Sequence, residues 1–444
     1  MLNHNLHHKI RIRNYLIILY VNKYKLLFLF ILTFIYISLY HRNKKETKLI
    51  KVAYYSLQMK YGGIERVFSI IIKYLSKEKY FSFYLITKYR KQIGEYPVPN
   101  NVKRISLTNL KMNLYEALEK EKIDILIYNY EDRAIEKLNQ LKKTKVIYYN
   151  HSSFLYWIYK VHLYNFKDTV YHLYKKCKYV ISLIPVENDY LFKKWGINSI
   201  LMDNPSTFEL NSVIPSNLIN KNIIMIGRGN DPIKRYDLGI MAMKEIIKEI
   251  PNCIMNIVST TNLKLVKLIK NLKLENNVKF TGYQNNIEYY LKNSSLHILS
   301  SLSESYPMVL GEAKIFGIPS IICGLDHLAL AKEGTVIVYD DNPLSIAKEA
   351  IKILKDDDYR RKLGKEARES MKKRTNDLIA KKWVKILLSV YNGNDKLFHK
   401  SSNDNKISEK EAIQILKNQL KLLQKRNHRF SEVSFEKFIA YSLS

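Results

Sequence analysis

Leu296-His297-Ile298-Leu299-Ser300 is followed, after two residues, by Ser303-Glu304-Ser305-Tyr306-Pro307-Met308-Val309-Leu310-Gly311-Glu312-Ala313-Lys314-Ile315-Phe316-Gly317-Ile318-Pro319. The first piece is a short apolar run suited to a buried strand, and Pro307 suits the first position of a helix. This junction puts Glu304 in the loop before the helix and Glu312 in its second turn. The N–H groups of Met308, Val309, Leu310 and Gly311 would then point unpaired out of the helix N-terminus. Free donors and the positive dipole end favour a phosphate there. A diphosphate on those amides, with carboxylates beside it to accept hydroxyls, suits a nucleotide-sugar. An ordinary buried helix with two solvated acids would give the same string, so other sites must decide.

Two further strand-to-helix junctions point the same way. Residues 222–226 are strand-like and lead into Gly227-Arg228-Gly229-Asn230-Asp231-Pro232-Ile233-Lys234-Arg235, before a helix expected over 236–250. Arg228 and Lys234 are two cations in one glycine-bearing loop, able to neutralise a diphosphate leaving group without a metal. Earlier, the strand-like residues 50–56 run into Gln58-Met59-Lys60-Tyr61-Gly62-Gly63-Ile64-Glu65-Arg66. Gly62 and Gly63 would let backbone approach a ligand closely where a helix begins. The chain has only 14 glycines in 444 residues, which gives the adjacent pair weight, although ordinary turns also use Gly-Gly.

Strand-like runs at 50–56, 82–87, 123–128, 145–149 and 179–183 alternate with helical stretches. A Pro-, Asn- and Ser-bearing linker over 204–222 precedes a second series at 223–226, 254–258, 278–281, 296–299, 320–322 and 336–338. The alternation predicts an α/β fold of two Rossmann-like domains with parallel sheets and right-handed crossovers. Ligands then bind beyond the C-terminal strand ends, where the three loops fall. The expected organisation is a basic leader with a membrane segment over 1–48, an N-terminal domain with its linker over 49–217, and a C-terminal domain over 218–394. A polar tail over 395–444 follows, in which Ser408 and Glu411 form a capping box for an amphipathic helix, read as an added surface helix.

At these residues the chain resembles glycosyltransferase family 4, whose GT-B architecture sets two Rossmann-like domains across a cleft. The resemblance rests on Gly62-Gly63-Ile64-Glu65-Arg66, on Arg228 with Lys234, and on the Glu304-to-Glu312 signature, in the family's order over roughly residues 48–390. It implies transfer from a nucleotide-activated sugar with retention of configuration and no cofactor. The N-terminal domain would hold the acceptor, a glycan or lipid-linked molecule, and the C-terminal domain the donor. It further implies that Glu304 lies by the donor sugar, that Glu312 holds the ribose, and that Arg228 and Lys234 grip the diphosphate. Met308, Val309 and Leu310 would line the nucleotide-sugar site. His151, in Tyr148-Tyr149-Asn150-His151-Ser152, falls where the family often has a histidine near the anomeric carbon; a lone histidine is otherwise a structural residue. Another GT-B enzyme, a phosphorylase or an epimerase, is one alternative, though no pyridoxal phosphate lysine is identifiable. A non-catalytic sugar-nucleotide-binding membrane protein is the other, yet its site residues would be lost, and Arg228, Lys234, Glu304 and Glu312 are all present.

Composition bounds the remaining possibilities. Hydrophobic residues make up 47% of the chain, enough for globular cores. The net charge of +32 is spread along the chain, and a genome rich in lysine codons would produce much of it without any function. No zinc-finger spacing or RNP-like aromatic motif accompanies it, so a nucleic-acid partner is not expected. Attraction to anionic membrane lipids is the better functional account. Residues 26–40 are fifteen residues without a charge, about 22 Å as a helix, and basic residues flank them on both sides. A signal-peptide core is the rival, but His41-Arg42-Asn43-Lys44-Lys45 stands where small residues would mark a cleavage site, which favours an uncleaved anchor. Cys177, Cys253 and Cys323 form no CxxC, which leans toward a reducing cytosolic face without excluding the lumenal one. The acidic run Asp356-Asp357-Asp358 lies between two helical stretches and reads as capping acids, so no metal site is expected.

Overall fold

Runs of β-branched and aromatic residues, separated by amphipathic helices, build two parallel sheets in the computed structural model. It describes residues 49–441 except 61, 131, 159–170, 285, 400–406 and 427–429. The first sheet comprises β1 (Ile50–Ser56), β2 (Phe81–Thr87), β3 (Lys103–Ser106), β4 (Ile125–Tyr128), β5 (Lys145–Tyr149), β6 (Tyr179–Ser182) and β7 (Ser199–Leu201). Its order is β3-β2-β1-β4-β5-β6-β7. The second comprises β8 (Ile223–Ile226), β9 (Met255–Val258), β10 (Val278–Phe280), β11 (Leu296–Leu299), β12 (Ser320–Cys323) and β13 (Thr335–Val338), in the order β10-β9-β8-β11-β12-β13. Strand order reverses between β1 and β4 in one sheet and between β8 and β11 in the other. Crevices for ligands open at such points, at the C-terminal strand ends. The Gly62-Gly63 loop follows β1, the Arg228–Lys234 loop follows β8, and the Glu304 loop follows β11.

The sequence reading misses two strands, β3 and β7. Both lie on the edges of the first sheet, and Lys103-Arg104-Ile105-Ser106 is too polar and Ser199–Leu201 too short to show a strand pattern. The central strands are buried on both faces and read as continuous apolar runs.

Helix α1 (Gly63–Leu75) covers one face of the first sheet with Val67, Phe68, Ile71, Ile72 and Leu75, spaced as one helical stripe. Phe68 stacks on Tyr54 of β1 with ring centroids 3.7 Å apart. Helix α2 (Tyr236–Glu249) opens directly after the Lys234 loop, and α3 (Met308–Ile315) directly after the Glu304 loop. Helix α4 (Asn376–Tyr391) falls within the expected C-terminal domain in sequence but packs on the first sheet. Its Trp383 meets Tyr149 edge-on at 5.3 Å, and Lys382 and Tyr391 bond to Leu201 and Lys145. Trp383, Ile386, Leu387 and Val390 are buried in one cluster with Tyr54, Phe68, Ile72 and Tyr149.

The tail also differs from its expectation. Helices α5 (Glu409–Arg426) and α6 (Phe435–Tyr441) are not a surface addition. Ala412, Leu416, Leu420 and Leu423 form a stripe at helical spacing, buried together with Phe154, Trp157, Phe192 and Trp195. The amphipathic pattern is local to the helix, whereas its partner is set by tertiary packing.

The linker is tied down rather than loose. Asn376, at the start of α4, donates to Ser206 O and Glu209 Oε1 and accepts from Ser206 N. Among the described residues no helix is long and apolar enough to cross a membrane. The expected anchor at 26–40 lies outside the described residues.

His297 on β11 is fully buried, with Nδ1 3.1 Å from Ser320 Oγ and Nε2 unpartnered. Burial, then the charges of Lys314 and Lys234, push its pKa down to about 3. The folded chain therefore holds it neutral, while the unfolded chain takes up a proton below about pH 6.5. Its stabilising contribution is complete above that pH and is lost as pH falls toward 3. Between pH 7.5 and 5.5 it accounts for a loss of about 1.4 kcal/mol. Urea unfolding at the two pH values should show that loss shrinking in His297→Asn, which keeps a polar partner for Ser320.

Candidate functional site

The loop after β8 is shaped by close packing and capping. A Cβ on Gly229 would sit 2.0 Å from Thr260 O, so only glycine allows this loop to lie on the end of β9. Asp231 caps the short turn Pro232–Lys234 by accepting from Ile233 N at 3.1 Å. Arg235 then takes a left-handed conformation (φ 48°) that starts α2. The loop after β11 is laced to this turn. Ser300 Oγ donates to the carbonyls of Lys234 and Arg235, and Leu302 N donates to Ile233 O at 2.8 Å.

That lacing brings two of the expected residues into contact. Lys234 Nζ lies 2.6 Å from Glu304 Oε1, with both side chains less than a fifth exposed. Ser301 Oγ donates to the same carboxylate oxygen at 2.7 Å. Arg228 points elsewhere: it pairs with Asp231 at 2.8 Å, and its side chain is 76% exposed. Its charge still reaches Glu65. The acidic run reads as expected, since Asp356 caps the following helix by accepting from Tyr359 N and Asp357 pairs with the buried Arg360.

The helix mouth is narrower than expected. Pro307 is the cap rather than the first helical residue, and its carbonyl accepts from both Leu310 N (3.1 Å) and Gly311 N (3.4 Å). A 3₁₀-type contact tightens this first turn, which leaves the Met308 and Val309 amides at the mouth. Leu310 is fully buried and anchors the helix in the core. Glu312, in the second turn, is fully buried. Its Oε1 accepts from Thr207 Oγ1 at 2.6 Å and from Arg66 Nη2 at 2.8 Å, while Oε2 is buried and unpartnered.

Arg66 comes from the first sheet's side, so the Gly62-Gly63 motif and the glutamate signature meet across the cleft. Gly62 caps α1 in an extended conformation and Gly63 is its first residue. Burial pushes the half-buried Glu65 carboxyl up, against the opposing pull of its own amide, of Ser56 and of Arg228. Two more contacts join the halves beside Glu304. Ser153 Oγ and Ser303 Oγ lie 2.6 Å apart, and Ser305 Oγ donates to His151 O at 2.5 Å.

His151 therefore lies next to the Glu304 loop through its backbone, but its ring turns away. Two residues after Tyr149, it projects to the same side and packs on that ring at 4.1 Å. The ring lines a cavity of about 20 Å³ with Tyr54, Phe68, Ile72 and Trp383, and its Nε2 has no partner. Burial pushes its pKa down to about 3, which makes the ring neutral at physiological pH. No hydrogen bond joins it to Glu304 or Lys234. His327, which the sequence reading did not single out, takes the place beside Glu304. Its Nε2 donates to Glu304 O at 3.0 Å, which fixes the tautomer, and its Nδ1 is buried and unpartnered. Burial holds it below its ordinary pKa. In the sequence it stands in Gly324-Leu325-Asp326-His327, directly after β12.

The arrangement supplies a carboxylate and a cation in contact, a second carboxylate with one open oxygen, and two helix-mouth amides, all at the C-terminal strand ends. Residues 209–370 match the family described as glycosyl transferases group 1. Over 143 residues the chain is 29% identical to the N-acetyl-alpha-D-glucosaminyl L-malate synthase of Bacillus anthracis, covering 31% of this chain and 38% of that one. Over 179 residues it is 28% identical to an uncharacterised glycosyltransferase of Haemophilus influenzae, covering 37% and 48%. The match thus spans less than half the length of each relative. The fold of the chain resembles sucrose-phosphate synthase from Thermosynechococcus elongatus, with TM-score 0.64, 17% identity, and 77% of this chain and 99% of that one covered. It also resembles Anabaena HepE in complex with UDP and glucose, with TM-score 0.60, 16% identity, and 77% and 100% covered. These likenesses establish a GT-B fold of two parallel sheets.

Proposed function

We propose that the chain is a retaining glycosyltransferase of family 4 that moves a sugar from a nucleotide-sugar donor to a glycan or lipid-linked acceptor. The observation that carries this reading is the Lys234–Glu304 pair at 2.6 Å, formed between the loops after β8 and β11. The donor diphosphate sits at the Met308 and Val309 amides and is neutralised by Lys234 and Arg228, with no metal required. Glu304 supports the electron-poor sugar carbon as the leaving group departs. The open Oε2 of Glu312 accepts from a ribose hydroxyl, while Arg66 and Thr207 hold its other oxygen. A buried acceptor without a partner is costly, and a hydroxyl supplied by the ligand would satisfy it. The acceptor binds on the side of the first sheet, with His151 at the boundary between the two halves. Calorimetric titration of the full chain with UDP, GDP and ADP tests the donor site. One of them should bind at micromolar concentration, whereas heat from none would overturn the reading.

The glycosyltransferase is further proposed to be held at a membrane through residues 26–40, with its catalytic part on the cytosolic face. The uncharged run and its basic flanks support this, as does the charge of +32, which attracts anionic lipids. Deleting residues 1–48 should move most of the protein from the membrane fraction to the supernatant. The remainder should be released by salt. Full-length protein that already fractionates as soluble would contradict the anchor.

A further inference from the structure

Helix α5 faces the first sheet's core with one side and the donor loops with the other. On the first side, Leu416, Leu420 and Leu423 are buried, and Phe438 of α6 meets Phe154 edge-on at 6.4 Å. On the second side, its polar groups make specific contacts with the second half of the chain. Gln419, 1% exposed, donates to Gly324 O and Asp326 Oδ1, both at 2.5 Å. Asn418 Nδ2 donates to Asp326 Oδ2 at 2.9 Å. A Cβ on Gly324 would lie 2.2 Å from Leu422, so the helix sits directly on that left-handed turn (φ 65°). At the end of α5, Arg426 forks onto Asp341 at 2.5 and 2.9 Å, and its third nitrogen reaches Leu302 O at 3.4 Å.

Three of the contacted residues, Asp341, Leu302 and Asp326, lead to the Lys234–Glu304 pair through a neighbour. Asp341 also takes Arg235 at 2.6 Å, the residue after Lys234. Leu302 lies two positions before Glu304. Asp326 precedes His327, which donates to Glu304 O. Burial alone would raise the Asp341 carboxyl, but Arg426 and then Arg235 hold it below its ordinary range. A buried arginine pair adds little net stability compared with apolar packing, whereas its planar fork fixes geometry.

We propose that Arg426, with Gln419, is a positioning residue: α5 holds the loops of Lys234 and Glu304 in register, so turnover depends on the C-terminal tail. This rests on the donor site proposed above. Misplacement of reacting groups by about 1 Å costs roughly a hundredfold, and the tail is tied to both loops.

The test uses the full chain with Arg426→Gln and the milder Arg426→Lys. Hydrogen exchange should accelerate about tenfold at residues 232–236 and 301–305 in Arg426→Gln, with β1 and β5 unchanged. For nucleotide-sugar turnover, kcat should fall roughly ten- to a hundredfold, while KM changes less than about threefold. Arg426→Lys should recover part of both effects, because a point charge still pairs with Asp341 but loses the fork. Unchanged exchange in these loops overturns the proposal, as does unchanged kcat when they loosen. If the wild type turns over no nucleotide-sugar, the proposed function fails, and the exchange arm still decides whether Arg426 positions the loops.

Discussion

Lys234→Ala lowers nucleotide-sugar turnover by roughly a hundredfold or more, a larger loss than any other single cation in the loop produces. Departure of a nucleoside diphosphate builds negative charge on the bridging oxygen, and a preorganised donor there is worth about 2–4 kcal/mol. Lys234 is held for that role, 17% exposed and 2.6 Å from Glu304. Its removal also leaves Glu304 with a single hydroxyl donor, Ser301. Arg228→Ala has a smaller effect, because its side chain is 76% exposed and its cation already spends part of its field on Asp231. Steady-state kinetics on the two variants, with thermal melts to confirm folding, decide the ranking. Equal losses would place both cations on the diphosphate to the same degree.

Glu304→Gln and Glu312→Gln separate turnover from binding. Glu304→Gln keeps the shape of the side chain but removes the charge beside the sugar carbon. Turnover falls at least a hundredfold, while nucleoside diphosphate affinity stays within about threefold. Glu312→Gln acts on the ribose instead. The amide replaces a charge-assisted acceptor and leaves Arg66 facing a neutral group, so affinity drops roughly tenfold or more. Because Glu312 is fully buried against Arg66 and Thr207, the variant also melts at lower temperature. The opposite pattern in calorimetry would mean that the two carboxylates have exchanged roles.

Much of this architecture was legible because its signals are local. Residues 50–56 and 223–226 are apolar runs that end in glycine-bearing loops, and the Glu304-to-Glu312 spacing sits across one strand-to-helix junction. The sequence could not show the Arg66–Glu312 bridge, because its partners sit on helices packed against different sheets and only tertiary packing joins them. It could not show that the His151 ring turns inward, since that follows from which face of β5 receives α1 and α4. His327 was hidden for the same reason: its significance is a bond to a backbone carbonyl, which leaves no mark in residue type. The tail was legible as an amphipathic helix, yet Leu416 and Leu420 have the same pattern whether they meet a partner protein or their own chain. Its polar side, with Gln419 and Arg426, is an ordinary solvated face by composition. Burial of those two side chains is what marks it as more.

The most direct measurement is turnover of nucleotide-sugars by the full chain in excess EDTA, with the anomer of the released or transferred sugar followed by NMR. One nucleotide-sugar should be consumed without added divalent ion, with the anomeric configuration retained, and Lys234→Ala should lower the signal roughly a hundredfold or more. Loss of activity in EDTA with recovery in Mg²⁺ or Mn²⁺, an inverted product, or turnover indifferent to Lys234 would contradict it.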